Sequence, residues 1–250
     1  IRLYNAPWIM MLFAEMYFLT EDKDYIKNII KIADNYYSNG GFKFYPNAVM
    51  PAFILSAFEH SGMEEEKERI KGYFIKHAEN ILDKRLSYPP HEVNYEQTIV
   101  SPAVTILSEI SAVTGDEKFT DAAKLHVKVL ERFSGMQPSF HLNEIPIRYW
   151  DDYWFGKSRL YGDTFPHYWS CLTAQSYADY YLISGDEKYK TAAEKCMRNC
   201  LCLFTEDGKG SAAYMYPYKI NNTFGGFYDD WSNDQDFALY FALVMNEMNI

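Results

Sequence analysis

The stretches SEISAVTGDEKFTDAAKLHVKVL (residues 108–130) and SYADYYLISGDEKYKTAAEKCMRNC (residues 176–200) share one pattern. In each, apolar residues recur at i, i+3 and i+4 on both sides of a Gly-Asp-Glu-Lys-aromatic turn, Gly115 to Phe119 in the first and Gly185 to Tyr189 in the second. Glycine after the first apolar run supplies the left-handed cap that closes a helix, and Asp-Glu opens the next one, where carboxylates favour the positive end of the dipole. Each stretch therefore predicts two antiparallel helices joined by a tight turn. Weaker copies stand at residues 20–25 (TEDKDY) and 61–64 (SGME), the latter the poorest match. The chain reads as a series of helical hairpins.

The same periodicity predicts nine helices and little strand: Ala6 to Leu19, Asp24 to Tyr37, Met50 to Glu59, Glu64 to Leu82, Glu96 to Val113, Lys118 to Phe133, His167 to Ile183, Lys188 to Phe204 and Asp234 to Met248. Connections alternate in length. Short turns join the two helices of a pair, whereas the returns between pairs are long, over residues 38–47, 83–95, 134–166 and 205–233. Successive pairs arranged about a common axis bring all the long returns to one end, and long loops in a compact domain usually carry function. These returns hold Trp150, Trp154, Trp231, His91 and His141, with His167 and Trp169 expected in the first turn of the following helix.

Composition limits what such a chain can do. Its 250 residues carry 24 Lys+Arg against 34 Asp+Glu, a net charge of −10, with 48% apolar residues, which is the balance of a folded domain. A negative chain without a basic run does not neutralise phosphates, so nucleic acid is excluded as a partner. No apolar run reaches the length of a membrane span. Cys171, Cys196, Cys200 and Cys202 lack the spacing of a zinc site or a disulfide framework and read as buried thiols. No phosphate-cradling glycine loop, dinucleotide fingerprint or calcium loop occurs, so neither cofactor nor metal is expected. Aromatic residues make up 18% of the chain. Flat amphipathic rings stack on sugars while their polar tips hydrogen-bond, so part of this content is expected to serve a binding surface.

Hairpins with plain turns at one end and aromatic, charged loops at the other resemble the all-α (α/α) toroid of six-hairpin carbohydrate-active enzymes, which includes polysaccharide lyases and unsaturated-uronyl hydrolases. The segments PPHEVNYEQTIVSPA (89–103), FHLNEIPIRYWDDYWFGKSRLYGDTFPHYWS (140–170) and GGFYDDWSNDQDFALYF (225–241) resemble those of large bacterial proteins of this group related to rhamnose–glucuronate lyases. The resemblance implies a single toroid domain over residues 1–250, a uronate-containing glycan as substrate, and an extracellular or periplasmic location. A full ring needs about twelve helices against the nine expected here. The ring is therefore expected to be open or completed by further sequence, the chain being a fragment of a longer protein with other domains.

Elimination from a uronate needs a cation to neutralise the carboxylate, a base for the acidified proton and an acid for the departing oxygen. Arg148 and Arg159 suit the first role, because a guanidinium fork matches a carboxylate and stays charged. His167, His141 and His91 are candidate bases, since imidazole titrates near ~6.5. Tyr161 is a candidate acid, or a base if a cation such as Arg159 lowers its pKa. Trp150, Trp154, Trp169 and Tyr214 are candidate sugar platforms, and Tyr95 stands beside Glu96 at the start of a helix. Hydrolysis would instead require two carboxylates flanking the scissile bond. Glu92, Glu96, Asp163, Asp229, Asp230 and Asp234 lie in or beside the long returns and supply that alternative, while a glycan-binding module without catalysis is the third.

Overall fold

A computed structural model of the chain describes residues 3–47, 49–89, 97–137, 140–146, 164–167, 169–210, 213–215, 219–220, 223–224 and 236–250. Among them are nine α-helices: α1 (Ala6–Thr20), α2 (Lys23–Ser38), α3 (Pro51–Ser61), α4 (Glu64–Lys84), α5 (Gln97–Thr114), α6 (Glu117–Leu130), α7 (Ser170–Ser184), α8 (Glu187–Cys200) and α9 (Asp236–Glu247). The helical-hairpin class expected of an (α/α) toroid protein is the one found. Four short strands interrupt the long returns: β1 (Thr164–His167) pairs antiparallel with β2 (Ala213–Met215), and β3 (Lys219–Ile220) with β4 (Thr223–Phe224).

The turn repeat is one hydrogen-bonded device used three times. Between α5 and α6 the Asp116 amide donates to Thr114 Oγ1 (3.3 Å), and the Lys118 amide donates to Asp116 Oδ1 (3.1 Å). Between α7 and α8 the Asp186 amide donates to Ser184 Oγ (3.2 Å) and the Lys188 amide to Asp186 Oδ1 (3.0 Å). Between α1 and α2 the Asp22 amide donates to Thr20 Oγ1 (3.3 Å) and the Asp24 amide to Asp22 Oδ1 (2.9 Å). A hydroxyl thus closes one helix and an aspartate opens the next. In the poorest copy, Met63 occupies the N-cap of α4 and makes no side-chain cap bond.

Gly115 and Gly185 take φ values of 68° and 66° in this device, whereas Glu21, at the same position after α1, is forced to φ 57°. A Cβ in the left-handed region costs about 1–2 kcal/mol, part of which glycine returns through the entropy of the unfolded chain. Glu21→Gly is accordingly expected to stabilise the protein by about 0.5–1 kcal/mol. Thermal unfolding followed by circular dichroism would show a midpoint raised by a few degrees; a lower midpoint would show that Glu21 contributes more than its backbone costs.

The described residues divide into two compact units, one within Ile1–His91 and Pro102–His126 and the other within Glu92–Ser101 and Val127–Ile250. In α5 the division falls at Pro102, which has no amide to donate to the Thr98 carbonyl.

In the first unit α1 packs on α2 and α3 on α4, around Ile26, Ile29, Tyr36, Ile54, Phe58, Ile70 and Phe74, all fully buried. Gly41 lies on the Tyr36 ring so closely that a Cβ there would overlap its carbons. The N-terminus of α3 is capped from afar: the Ala52 amide donates to Oε2 of the buried Glu109 at 2.8 Å. Each histidine of this unit outside residue 91 meets a tyrosine hydroxyl through Nδ1, His60 with Tyr17 (3.0 Å), His77 with Tyr37 (3.2 Å) and His126 with Tyr88 (2.8 Å). These three carried no functional expectation, and their hydrogen bonds assign them to the framework.

In the second unit every residue of α7 from Ser170 to Tyr180 is buried. A helix covered on all sides must satisfy its own polar groups. Thr173 Oγ1 donates to Gln97 Oε1 (2.8 Å), and Ser176 Oγ contacts the carbonyls of Leu172 (2.8 Å) and Ser101 (2.9 Å). The ascending pairs 97–173 and 101–176 place the first turn of α5 parallel to α7. Helix α8 returns antiparallel, and α9 packs on both α7 and α8. Much of the tyrosine content is absorbed by these cores: Tyr17, Tyr36, Tyr37, Tyr45, Tyr177, Tyr180 and Tyr189 are all buried. For these rings the expectation of a binding role is replaced by packing.

Candidate functional site

At the end of the second unit where α7 begins and α8 finishes, several of the candidate residues come together. Trp169 is the N-cap of α7, and its carbonyl faces the side-chain amide of the buried Gln97 at 3.5 Å. Gln97 directly follows Tyr95 and Glu96 in sequence. The Trp169 indole packs, half-buried, on Leu203 together with Phe204 and Phe237. Leu203 closes the 3-10 turn Leu201–Leu203 that follows α8, and β1 packs against this turn and against α8.

The helix expected from His167 onward begins only at Ser170, and His167 is the last residue of β1. The backbone pairing of β1 with β2 accounts for the difference, since a residue held in a strand ladder stays extended. Backbone pairing sets Thr164 opposite Met215 and His167 opposite Ala213, with an irregularity between the two pairs. His167 and Tyr214, expected from sequence to serve as base and sugar platform, therefore lie on adjacent strands of one two-stranded sheet. Two other expected helices are shorter than predicted: α6 ends at Leu130 and α8 at Cys200, and the apolar residues beyond them continue as turns.

His141 reaches the same end by a different route. It lies exposed in the 3-10 turn Phe140–Leu142, and Asn199, one residue before the end of α8, fastens that turn: its Nδ2 donates to the carbonyls of Phe140 (3.2 Å) and Asn143 (2.8 Å). Gln97 and Asn199 carried no expectation from sequence. The available signal for Asn199 was its place on the apolar face of α8, in line with Ala192 and Cys196.

Arg148, Trp150, Trp154, Arg159, Tyr161 and Asp163 lie outside the described residues, as do His91, Glu92, Tyr95, Glu96, Asp229, Asp230, Trp231 and Asp234. For His167 and Tyr214 the backbone is described.

A cleft of about 530 Å³ opens elsewhere in this unit, lined by Glu131, Ser134, Glu144, Tyr177, Lys188 and Lys195 among others. Its central carboxylate is already occupied. Burial works against ionised Glu131, yet hydrogen bonds from Lys188 Nζ (2.7 Å), Tyr189 Oη (2.6 Å) and Lys128 Nζ (3.1 Å) outweigh it and hold its pKa below the usual carboxylate value. Ser134 and Tyr177 satisfy each other at 2.6 Å. The cleft thus carries a completed framework network.

Cys171, Cys196 and Cys200 are buried free thiols, as expected, whereas Cys202 is exposed. Burial pushes the Cys171 and Cys200 thiols well above their ordinary pKa, which leaves them protonated and inert. Among the described residues no group of three or more His, Cys, Asp or Glu is placed to hold a metal ion, and no helix is long and apolar enough to cross a membrane.

No protein-family model matches the chain, and no curated protein does. Among solved structures it is similar to "Polysaccharide Lyase BACCELL_00875", with 44% sequence identity over 99% of this chain and a TM-score of 0.90. The chain spans 37% of the length of that protein. At this identity over nearly all of its residues, the chain is a relative of a polysaccharide lyase and shares the helical-hairpin fold of the matching part.

Proposed function

We propose that the chain is the helical domain of a carbohydrate-active enzyme that cleaves a uronate-containing glycan by β-elimination. The observation that carries this reading is the 44% identity, across 99% of the chain, to a polysaccharide lyase. The domain is a single (α/α) toroid, and further domains of a longer protein accompany it. In the reaction a base removes the proton at C5 of the uronate, the C4–O bond breaks, a C4=C5 double bond forms, and the departing oxygen takes a proton. Arg148 or Arg159 neutralises the carboxylate so that C5–H becomes acidic enough to lose. His167 is the base, with His141 and His91 as its alternatives, and Tyr161 protonates the leaving oxygen. Trp150, Trp154, Trp169 and Tyr214 hold neighbouring sugars, with Tyr95, Glu96, Asp163, Asp229 and Asp230 supplying hydrogen bonds to their hydroxyls.

Two placements support this assignment. His167 and Tyr214 occupy paired strands, and His141 sits on a turn fastened to the α8 end against which β1 packs. Digestion of a panel of uronate-bearing oligosaccharides, with products weighed by mass spectrometry and followed in the ultraviolet, tests the proposal. Elimination yields fragments that gain no water and absorb through the conjugated double bond. Fragments heavier by one water would replace elimination with hydrolysis and move the search to Glu96, Asp163 and Asp230.

A further inference from the structure

We infer that Phe140 is a sugar-stacking residue of this same site, taking the C–H face of a neutral sugar ring that flanks the uronate; the inference rests on the glycan-cleavage reading above. Phe140 is 66% exposed and is set on an anchored turn rather than on a helix surface. Its ring centroid lies 3.9 Å from that of His141, so His141 supports it on one side.

The backbone beneath the ring is fixed at several points. Asn199, only 5% exposed, gives both of its amide hydrogens to this loop, one to the Phe140 carbonyl and one to that of Asn143. The Gln137 amide donates to Asn143 Oδ1 (3.0 Å), and the Glu144 amide to the Gly135 carbonyl (2.9 Å). Leu142 and Ile145 are buried and anchor the loop to the core. Burying an amide to hold two carbonyls is a device for position: it fixes a loop whose outward side chain would otherwise lose entropy on binding.

The ligand class follows from the ring. An aromatic face carries a negative quadrupole, which attracts the slightly positive C–H groups of a pyranose and repels a carboxylate. Phe140 therefore suits a neutral sugar, while the uronate carboxylate is left to the arginines. The location agrees, since Asn199 directly precedes Cys200 and the Leu201–Leu203 turn that β1 contacts.

The test compares Phe140→Ala and Phe140→Trp with the parent in the full-length protein, on oligosaccharides that carry a neutral sugar beside the uronate. Phe140→Ala is expected to raise KM about 3- to 10-fold with kcat unchanged, and Phe140→Trp to restore KM. An unchanged KM in Phe140→Ala, or an equal loss of kcat, overturns the inference and leaves the lyase reading intact. If the parent cleaves no uronate oligosaccharide, the lyase reading is what fails. Titration calorimetry with the same oligosaccharides then decides for Phe140: weaker binding by Phe140→Ala supports the inference and equal binding overturns it.

Discussion

Replacing His167 by alanine is expected to lower turnover of a uronate oligosaccharide by about 10²- to 10⁴-fold, the range that a general base contributes, while binding of the same oligosaccharide survives. His167 ends β1, and its pairing with Ala213 is made by backbone groups that alanine retains. The strand should therefore form in the variant. The distinguishing measurement is kcat and KM together with the affinity of the inactive variant for substrate, by calorimetry. A base acts in the transition state, so its removal lowers kcat and leaves KM nearly unchanged. A loss of less than tenfold would remove His167 from the role and pass it to His141 or His91. Raised KM with normal kcat would instead make His167 a binding residue.

The second large effect is on stability. Burial lowers the pKa of His77 to about 4 and that of His126 to about 4, from an ordinary 6.5. For His77 a hydrogen bond to the Phe44 carbonyl, at 2.7 Å from Nε2, acts in the opposite direction but does not win. For His126, Nδ1 shares a hydrogen bond with Tyr88 Oη at 2.8 Å, and Nε2 has no hydrogen-bond partner among the described residues. A second proton on either ring would place a charge in the core at a desolvation cost that its hydrogen bonds do not recover.

Above pH 7 both histidines are neutral whether the chain is folded or not, and they leave stability independent of pH. Between pH 6.5 and 4 the unfolded chain binds protons that the folded chain refuses, so the free energy of unfolding falls as the pH falls. Each group contributes a slope of about 1.4 kcal/mol per pH unit, and together they remove on the order of 5 kcal/mol by pH 4, comparable with the whole stability of many domains. Urea unfolding measured from pH 8 to pH 4 should show a plateau followed by this decline. His77→Gln and His126→Gln should each flatten the slope, even if both lower the plateau. A stability curve level down to pH 4.5 would show that these rings are protonated in the folded state.

The hairpins were legible because the information that makes them is local. Three- and four-residue apolar spacing, Gly at the end of one helix and Asp at the start of the next determine helix, turn and direction within about six residues. The Thr20 turn shows how far this extends: Glu21 replaces the glycine, yet Thr20 and Asp22 alone reproduce the same bonds. Local pattern failed at His167, where the apolar run of α7 extends in sequence back through Trp169 but pairing with the distant Ala213 keeps the backbone extended. It failed also at the tyrosines. Nothing in the spacing of Tyr37, Tyr88 or Tyr17 announces a histidine about forty residues away as its hydrogen-bond partner.

The class of fold, the number and direction of the helices among the described residues, and the concentration of candidate residues in long returns all follow from periodicity and capping, which are written in the order of residues along the chain. Packing between distant segments is what sets His167 beside the strand of Tyr214, fixes the turn bearing Phe140 and His141 through Asn199, and brings Glu109 to cap a helix 57 positions away. Those arrangements depend on contacts between residues distant in the chain, whose closure is governed by how whole helices pack rather than by any neighbour's identity.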